Sequence, residues 1–130
     1  MVTLDTNVAF YAFSEDAKAK IARDILVGAD FISVQVLNEF ASASYRKRGR
    51  SWSDVELDLA TIRRHVPAIS PLTSEALPEA VRLAKRYRIS FYDALMLAVA
   101  LAGGARTIYS EDMQHGLVID DTLRIVDPFR

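Results

Sequence analysis

Cysteine is absent from the 130 residues of this chain. A disulfide framework and a thiolate metal site are therefore excluded, and a reducing, cytoplasmic setting is the expectation. Glycine and proline number only five and four, and no internal repeat, low-complexity segment or domain linker interrupts the chain. The two histidines, His65 and His115, stand alone and read as non-catalytic. No sign of charge dominates: 16 basic against 17 acidic side chains give a formal charge of -1. Affinity for polyanions would have to come from local clusters. The longest apolar run, Ala94 to Ala102, is far short of the roughly 20 residues a membrane span needs. The first residues read as a strand, not as a charged signal segment.

What is present suits one domain over residues 1–130. With 51% hydrophobic and 25% charged residues, such a chain buries roughly two thirds of its unfolded surface. The apolar period switches repeatedly between short β-like runs and helical stripes, which predicts an α/β fold with a parallel sheet. The expected form is a three-layer α/β/α sandwich around a short central parallel sheet of four or five strands, joined by right-handed crossovers. Strands are expected at 2–5, 30–33, 106–109 and 123–126, with a short extended segment at 66–69. A short helix carries Val8, Phe10 and Tyr11, and a second runs over 17–26 before Gly28. A helix over 34–48 presents Val36, Leu37, Phe40, Ala41 and Ser44 at helical spacing and stops at Gly49. Ser53 to Glu56 reads as a capping box opening a helix to His65. Two more helices are expected over 74–87, with Pro78 in the first turn, and over 91–102, apolar almost all round and therefore buried.

Four acids stand out because each lies where an apolar strand ends or an apolar helix runs. Asp5 follows Val2-Thr3-Leu4, and Asp112 follows Thr107-Ile108-Tyr109-Ser110 by one residue. Both fall at the carboxyl edge of an open α/β sheet, where ligands bind. Glu39 flanks the apolar stripe of its helix without a cation at i±3 or i±4, since positions 35, 36, 42 and 43 are Gln, Val, Ser and Ala. Asp93 is three residues after Ser90. Each has a bland alternative: Ser90 to Asp93 forms a capping box, and Asp5 and Asp112 serve as N-caps after strands. Brought together, the four carboxylates would suit Mg2+ or Mn2+, which prefer hard oxygen ligands. Without a cation they would repel and raise one another's pKa. The other acids sit in polar surroundings and read as surface, Glu111 being the ambiguous one.

Cations and rings cluster in Tyr45-Arg46-Lys47-Arg48-Gly49-Arg50-Ser51-Trp52. Arg46, Lys47, Arg48 and Arg50 could track phosphates while the rings stack on unpaired bases. The alternative is a solvated helix end. Arg63-Arg64 and Lys85-Arg86-Tyr87-Arg88 are further basic clusters, the first an ordinary solvated helix end. Phe10, Tyr11, Phe13 and Trp52, near polar segments, would make a contact surface if exposed, or belong to the core.

Five segments taken in order resemble one family: Leu4-Asp5-Thr6-Asn7, Asn38-Glu39, Ser90-Phe91-Tyr92-Asp93-Ala94, Tyr109-Ser110-Glu111-Asp112 and Val126-Asp127-Pro128-Phe129. Over essentially its whole length the chain is similar to PIN-domain nucleases, and specifically to the VapC-type toxins of prokaryotic toxin–antitoxin pairs. The resemblance implies a metal-dependent endoribonuclease whose acidic quartet, Asp5, Glu39, Asp93 and Asp112, binds Mg2+ or Mn2+. It also implies that Ser110 orders the site and Asn7 supports Asp5 by hydrogen bonding. The expected partners are an RNA substrate, a cognate antitoxin and a second copy of the chain in a homodimer. Two alternatives stand beside it. A PIN-derived module could bind metal or RNA without catalysis. A haloacid-dehalogenase-type phosphatase also begins with an aspartate after the first strand, but wants a second aspartate where Asn7 stands.

Overall fold

The first strand is brief because the chain turns into a helix as soon as it leaves the sheet. In a computed structural model describing residues 1–130, β1 (Val2–Leu4) is followed directly by α1 (Thr6–Ala12), with Asp5 as the N-cap between them. The other elements follow as α2 (Ala19–Gly28), β2 (Ile32–Ser33), α3 (Val34–Arg48), α4 (Trp52–His65), β3 (Ile69–Ser70), α5 (Ala76–Tyr87), α6 (Phe91–Ala102), β4 (Thr107–Tyr109), β5 (Val118–Ile119) and β6 (Leu123–Val126). The main sheet has the order β1-β4-β6-β5. Its first three strands are parallel, Leu4 opposite Tyr109 and Tyr109 opposite Val126. The pair β2–β3, also parallel, adjoins β1 through the Asp30 N–H to Val2 carbonyl bond (2.9 Å) and the Thr3 hydroxyl to Phe31 carbonyl bond (2.8 Å). Helices α1 to α4 pack on one another and α5 packs on α6, which completes the α/β sandwich around the sheet.

Local chemistry explains the helix limits. Helix α3 starts at the Ser33 hydroxyl, which accepts the Val36 N–H. It ends at Gly49, whose φ of 63° places it in the left-handed region that glycine enters without a Cβ penalty. Arg46, Lys47 and Arg48 fill its last turn, where cations suit the helix dipole. Every side chain from Ala94 to Ala100 in α6 is buried, as its uniform hydrophobicity requires. Just past α6, a Cβ on Gly103 would lie 2.6 Å from the Phe31 ring, so only glycine lets that turn close on the core.

Several sequence expectations are corrected. The cap of α4 is Ser51, whose side chain accepts the Asp54 N–H, and not Ser53, which lies inside the helix. Helix α5 begins at Ala76, because the i→i+3 bonds from Ala76 and Leu77 to Thr73 and Ser74 make a tight turn first. The sheet is not wholly parallel. Strand β5 runs antiparallel to β6 through a turn in which Asp120 and Asp121 have φ of 50° and 54°. Those acids lie at the surface, as read, and also make the reversal, held by Arg82 on the Asp120 carboxylate and by the Asp120 N–H to Tyr87 hydroxyl bond. Of the two readings of the aromatics, the core holds for three: Phe10, Tyr11 and Phe13 are half-buried against it, and Trp52 is exposed.

Candidate active site

Asp5 is at the centre of a network built from the carboxyl ends of β1 and β4. Its position between strand and helix leaves it 7% exposed. One carboxylate oxygen accepts the Thr6 N–H at 2.7 Å, the ordinary work of an N-cap. The other accepts the Ser110 hydroxyl at 2.8 Å and the Asn7 amide at 3.2 Å. Ser110 is fully buried and in turn accepts the Met113 N–H, which fixes its rotamer. Burial pushes the Asp5 carboxyl up to about 6; the Ser110 and Thr6 bonds oppose this, and the charges of Glu39 and Asp93 add to it. That coupling places both of these acids within electrostatic reach of Asp5.

Glu39 and Asp112 are joined to Asp5 through its two chain neighbours. The Thr6 hydroxyl donates to Glu39 Oε2 at 2.6 Å, while Gln35, one turn earlier on α3, donates to Glu39 Oε1 at 3.1 Å. The remaining Gln35 oxygen is buried without a partner. Asn7 spans the other side, its Nδ2 lying 3.2 Å from Asp112 Oδ2 as well as from Asp5. Asp93 enters from the first turn of α6, where the Ser90 hydroxyl caps its N–H at 3.2 Å. The capping readings of Asp5 and of the Ser90 turn are thus real, and Asp5 combines its cap with the bonds to Ser110 and Asn7.

The donors around these acids are all hydroxyls, amides and backbone N–H groups. The salt bridges of the structure engage Asp24, Asp54, Asp58, Glu79, Glu111 and Asp120, and none engages Asp5, Glu39, Asp93 or Asp112. A buried, uncompensated carboxylate is costly. A hard divalent cation would relieve that cost, and the all-oxygen donor set, with the unpartnered Gln35 oxygen free to accept from an ordered water, fits such an ion. The expected gathering of the four acids is not complete, since no three His, Asp or Glu side chains are grouped closely enough to hold a metal ion together.

A groove of about 400 Å³ leads away along α3, lined by Thr6, Asn38, Glu39, Ser42, Ala43, Arg46 and Lys47. Helical spacing puts Glu39, Ser42 and Arg46 in one stripe, and Arg46 donates to Ser42 at 3.0 Å. The other two cations of the basic run are drawn into the fold. Arg48 stacks 3.5 Å over the Phe10 ring and donates to the Phe10 carbonyl, and burial lowers its pKa. Arg50 forms a bidentate pair with Asp58. The rings of Tyr45 and Trp52 stack on each other at 4.0 Å, both exposed. His115 accepts the Asp127 N–H, and His65 lines a separate apolar groove of about 390 Å³ with Ala12, Phe13, Leu26 and Val27. Sequence reasoning missed Thr6 and Gln35, the two grips on Glu39; the i,i+4 spacing of Gln35 and Glu39 was the available signal.

Comparison with known proteins gives a consistent result. The family model of the PIN domain matches residues 2–116. No curated protein sequence matches the chain. Among solved structures, a toxin–antitoxin complex from Klebsiella pneumoniae is 20% identical, with a TM-score of 0.72 and 98% of each chain covered. VapBC2 from Rickettsia felis, bound to a DNA fragment from their promoter, is 18% identical, with a TM-score of 0.70 and coverage of 98% of this chain and 100% of the other. The sarcin-ricin-loop-cleaving toxin VapC20 of Mycobacterium tuberculosis is 21% identical over 83% of this chain and 87% of its own, with a TM-score of 0.66.

Proposed function

The chain belongs to the PIN-domain family, whose model covers residues 2–116, and from that premise we propose that it is a metal-dependent endoribonuclease, the toxin of a toxin–antitoxin pair. The observation that carries this reading is a buried Asp5 tied through Thr6, Asn7 and charge to three further acids, none of them compensated by a cation of the protein. Asp5, Glu39, Asp93 and Asp112 would hold Mg2+ or Mn2+. Such a cation, when bound, activates water and stabilises negative charge on the attacked phosphate. Thr6, Gln35, Asn7 and Ser110 keep the carboxylates oriented, and Arg46 and Lys47 line the groove where neighbouring phosphates would lie. Water oxygen bonds to phosphorus, the bond from phosphorus to the 3′-oxygen breaks, and the departing oxygen gains the proton. The products carry a 5′-phosphate and a 3′-hydroxyl. Attack by the ribose 2′-hydroxyl has no support here, because His115 is committed to the backbone of Asp127 and His65 faces a different groove, which leaves no imidazole pair at the acids.

The solved neighbours from Klebsiella pneumoniae and Rickettsia felis contain toxin and antitoxin together, which supports an antitoxin as a partner for this chain. The expected antitoxin segment covers the active-site groove, and a homodimer in the cytoplasm completes the reading. No helix is long and apolar enough to cross a membrane. Light scattering at tens of micromolar should give twice the monomer mass. A non-catalytic module and a nuclease separate in one assay: purified RNA with Mg2+, and again with EDTA, followed by end-group analysis. Cleavage that persists in EDTA, or 2′,3′-cyclic phosphate ends, would refute the mechanism. The phosphatase alternative has no support, since Asn7 donates to two carboxylates, which an aspartate cannot do.

A further inference from the structure

Glu111 stands between Ser110 and Asp112 and has no part in the chemistry described so far. Its backbone N–H donates to Asn7 Oδ1 at 3.1 Å. That bond decides which way the Asn7 amide faces. With the oxygen committed to Glu111, the NH2 group must turn toward Asp5 and Asp112, 3.2 Å from each. The reversed amide would set its oxygen against two carboxylates. The Glu111 side chain is then held at both oxygens by groups from a distant part of the chain: the Tyr11 hydroxyl donates at 3.0 Å and the Lys18 ammonium at 2.7 Å. Lys18 lies 4.9 Å from the centre of the Tyr11 ring and 5.5 Å from that of Phe129, and the two rings meet edge to face at 5.2 Å. The pair is only partly exposed, 37% for Lys18 and 25% for Glu111.

We propose that Glu111, clamped by Lys18 and Tyr11, is a positioning residue that sets the orientation of Asn7 and so the separation of Asp112 from Asp5. The inference rests on the nuclease reading of the site. An ordinary surface ion pair would contribute little and touch nothing else. This one anchors the segment 110–112 at a third point, beside the Ser110 hydroxyl and the Glu111 N–H, and it neutralises the one acid adjacent to the site that would otherwise add a like charge.

The test compares Glu111→Ala, Lys18→Met and Glu111→Gln with wild type in two measurements: Mn2+ binding without RNA, read by water-proton relaxation, and cleavage of purified total RNA. Partners that orient metal ligands typically control affinity or activity by about 10–100-fold. Loss of that size is expected in both measurements for Glu111→Ala and Lys18→Met, with KM unchanged and kcat reduced. Glu111→Gln should recover most of both, because glutamine can accept from Lys18 and donate to the Tyr11 oxygen. If Glu111→Ala fails to fold, Lys18→Met with its carboxylate intact still decides. Wild-type Mn2+ affinity and kcat in the folded variants would overturn the clamp and leave the nuclease reading standing. A wild type that neither binds Mn2+ nor cuts RNA would overturn both.

Discussion

Replacing Asp5 by asparagine should stabilise the metal-free protein at neutral pH and do nothing of the kind in acid. The folded-state pKa of Asp5 is raised from 3.8 to about 6, chiefly by burial. The native state therefore holds a proton that the unfolded chain has released between those values, and stability falls as pH rises through the window. The contribution is fully present below about 3.8 and lost above about 6. A shift of about two units corresponds to roughly 3 kcal/mol of destabilisation by the ionised carboxylate at pH 7.5. Asparagine escapes that cost but gives up bonds. It can still accept the Thr6 N–H, whereas its NH2 group faces the Asn7 amide and the Ser110 hydroxyl. Two imperfect hydrogen bonds offset roughly 1–2 kcal/mol. A net gain of about 1–2 kcal/mol remains at pH 7.5, equivalent to a few degrees in Tm. Near pH 4 the sign reverses, because the carboxyl is already neutral and only the lost bonds count. Urea unfolding of both proteins in EDTA from pH 4 to pH 8 measures the difference directly. Adding Mg2+ should then raise the stability of wild type more than that of the variant. A difference that does not change with pH, or a wild type that is the more stable at pH 7.5 without metal, would refute the account of Asp5 as a strained, uncompensated acid.

Other outcomes follow from the same geometry. Glu39→Gln and Asp93→Asn should each lower kcat by on the order of 10²–10³, the scale of losing one group that stabilises transition-state charge; chelation should abolish cleavage in wild type, and Mg2+ or Mn2+ should restore it on a gel assay. Arg46→Ala with Lys47→Ala should flatten the log–log salt dependence of RNA binding by about 1.4, at roughly 0.7 for each single-strand phosphate contact. Arg48→Ala should leave that slope alone and lower Tm, since its guanidinium is spent on the Phe10 ring and carbonyl. Gly103→Ala should cost about 1–3 kcal/mol by overpacking, read by urea unfolding, because the Phe31 ring in its way is itself 3% exposed and has nowhere to go.

Long, periodic elements with clear stops were legible in the sequence. Helix α3 runs over Val34–Arg48 and α6 over Phe91–Ala102, the limits read from the apolar stripe, Gly49 and the Gly103-Gly104 pair. Strand β6 was legible too, at Leu123–Val126. What escaped depends on geometry that one-dimensional pattern does not carry. Strand β5 has two residues, too few for a period, and its turn uses aspartates in left-handed backbone, a state that composition does not announce. The basic run Arg46 to Arg50 looked uniform, yet tertiary packing divides it: the helical phase turns Arg46 and Lys47 to the groove, while Arg48 and Arg50 find a ring and a carboxylate inside the fold.

The acids themselves show why the bland and the functional readings of one residue need not compete. An N-cap uses a single oxygen, and in Asp5 that oxygen takes the Thr6 N–H. The bond locks the carboxylate in place and leaves the second oxygen to Ser110 and Asn7, on the side where Asp112 lies. The Ser90 cap does similar service for α6 by fixing the turn from which Asp93 projects. Strand end, helix start and acidic side chain coincide, so the same few residues terminate β1, nucleate α1 and aim the carboxylate. Electrostatics then separates this cluster from ordinary surface acids. Lys18 is paired with Glu111 and Arg48 with the Phe10 carbonyl, and no salt bridge of the structure ends on the four acids. A fold that holds Asp5, Glu39 and Asp112 with neutral donors and ends its salt bridges on other acids keeps uncompensated negative charge at the carboxyl ends of β1 and β4, which would suit a divalent ion.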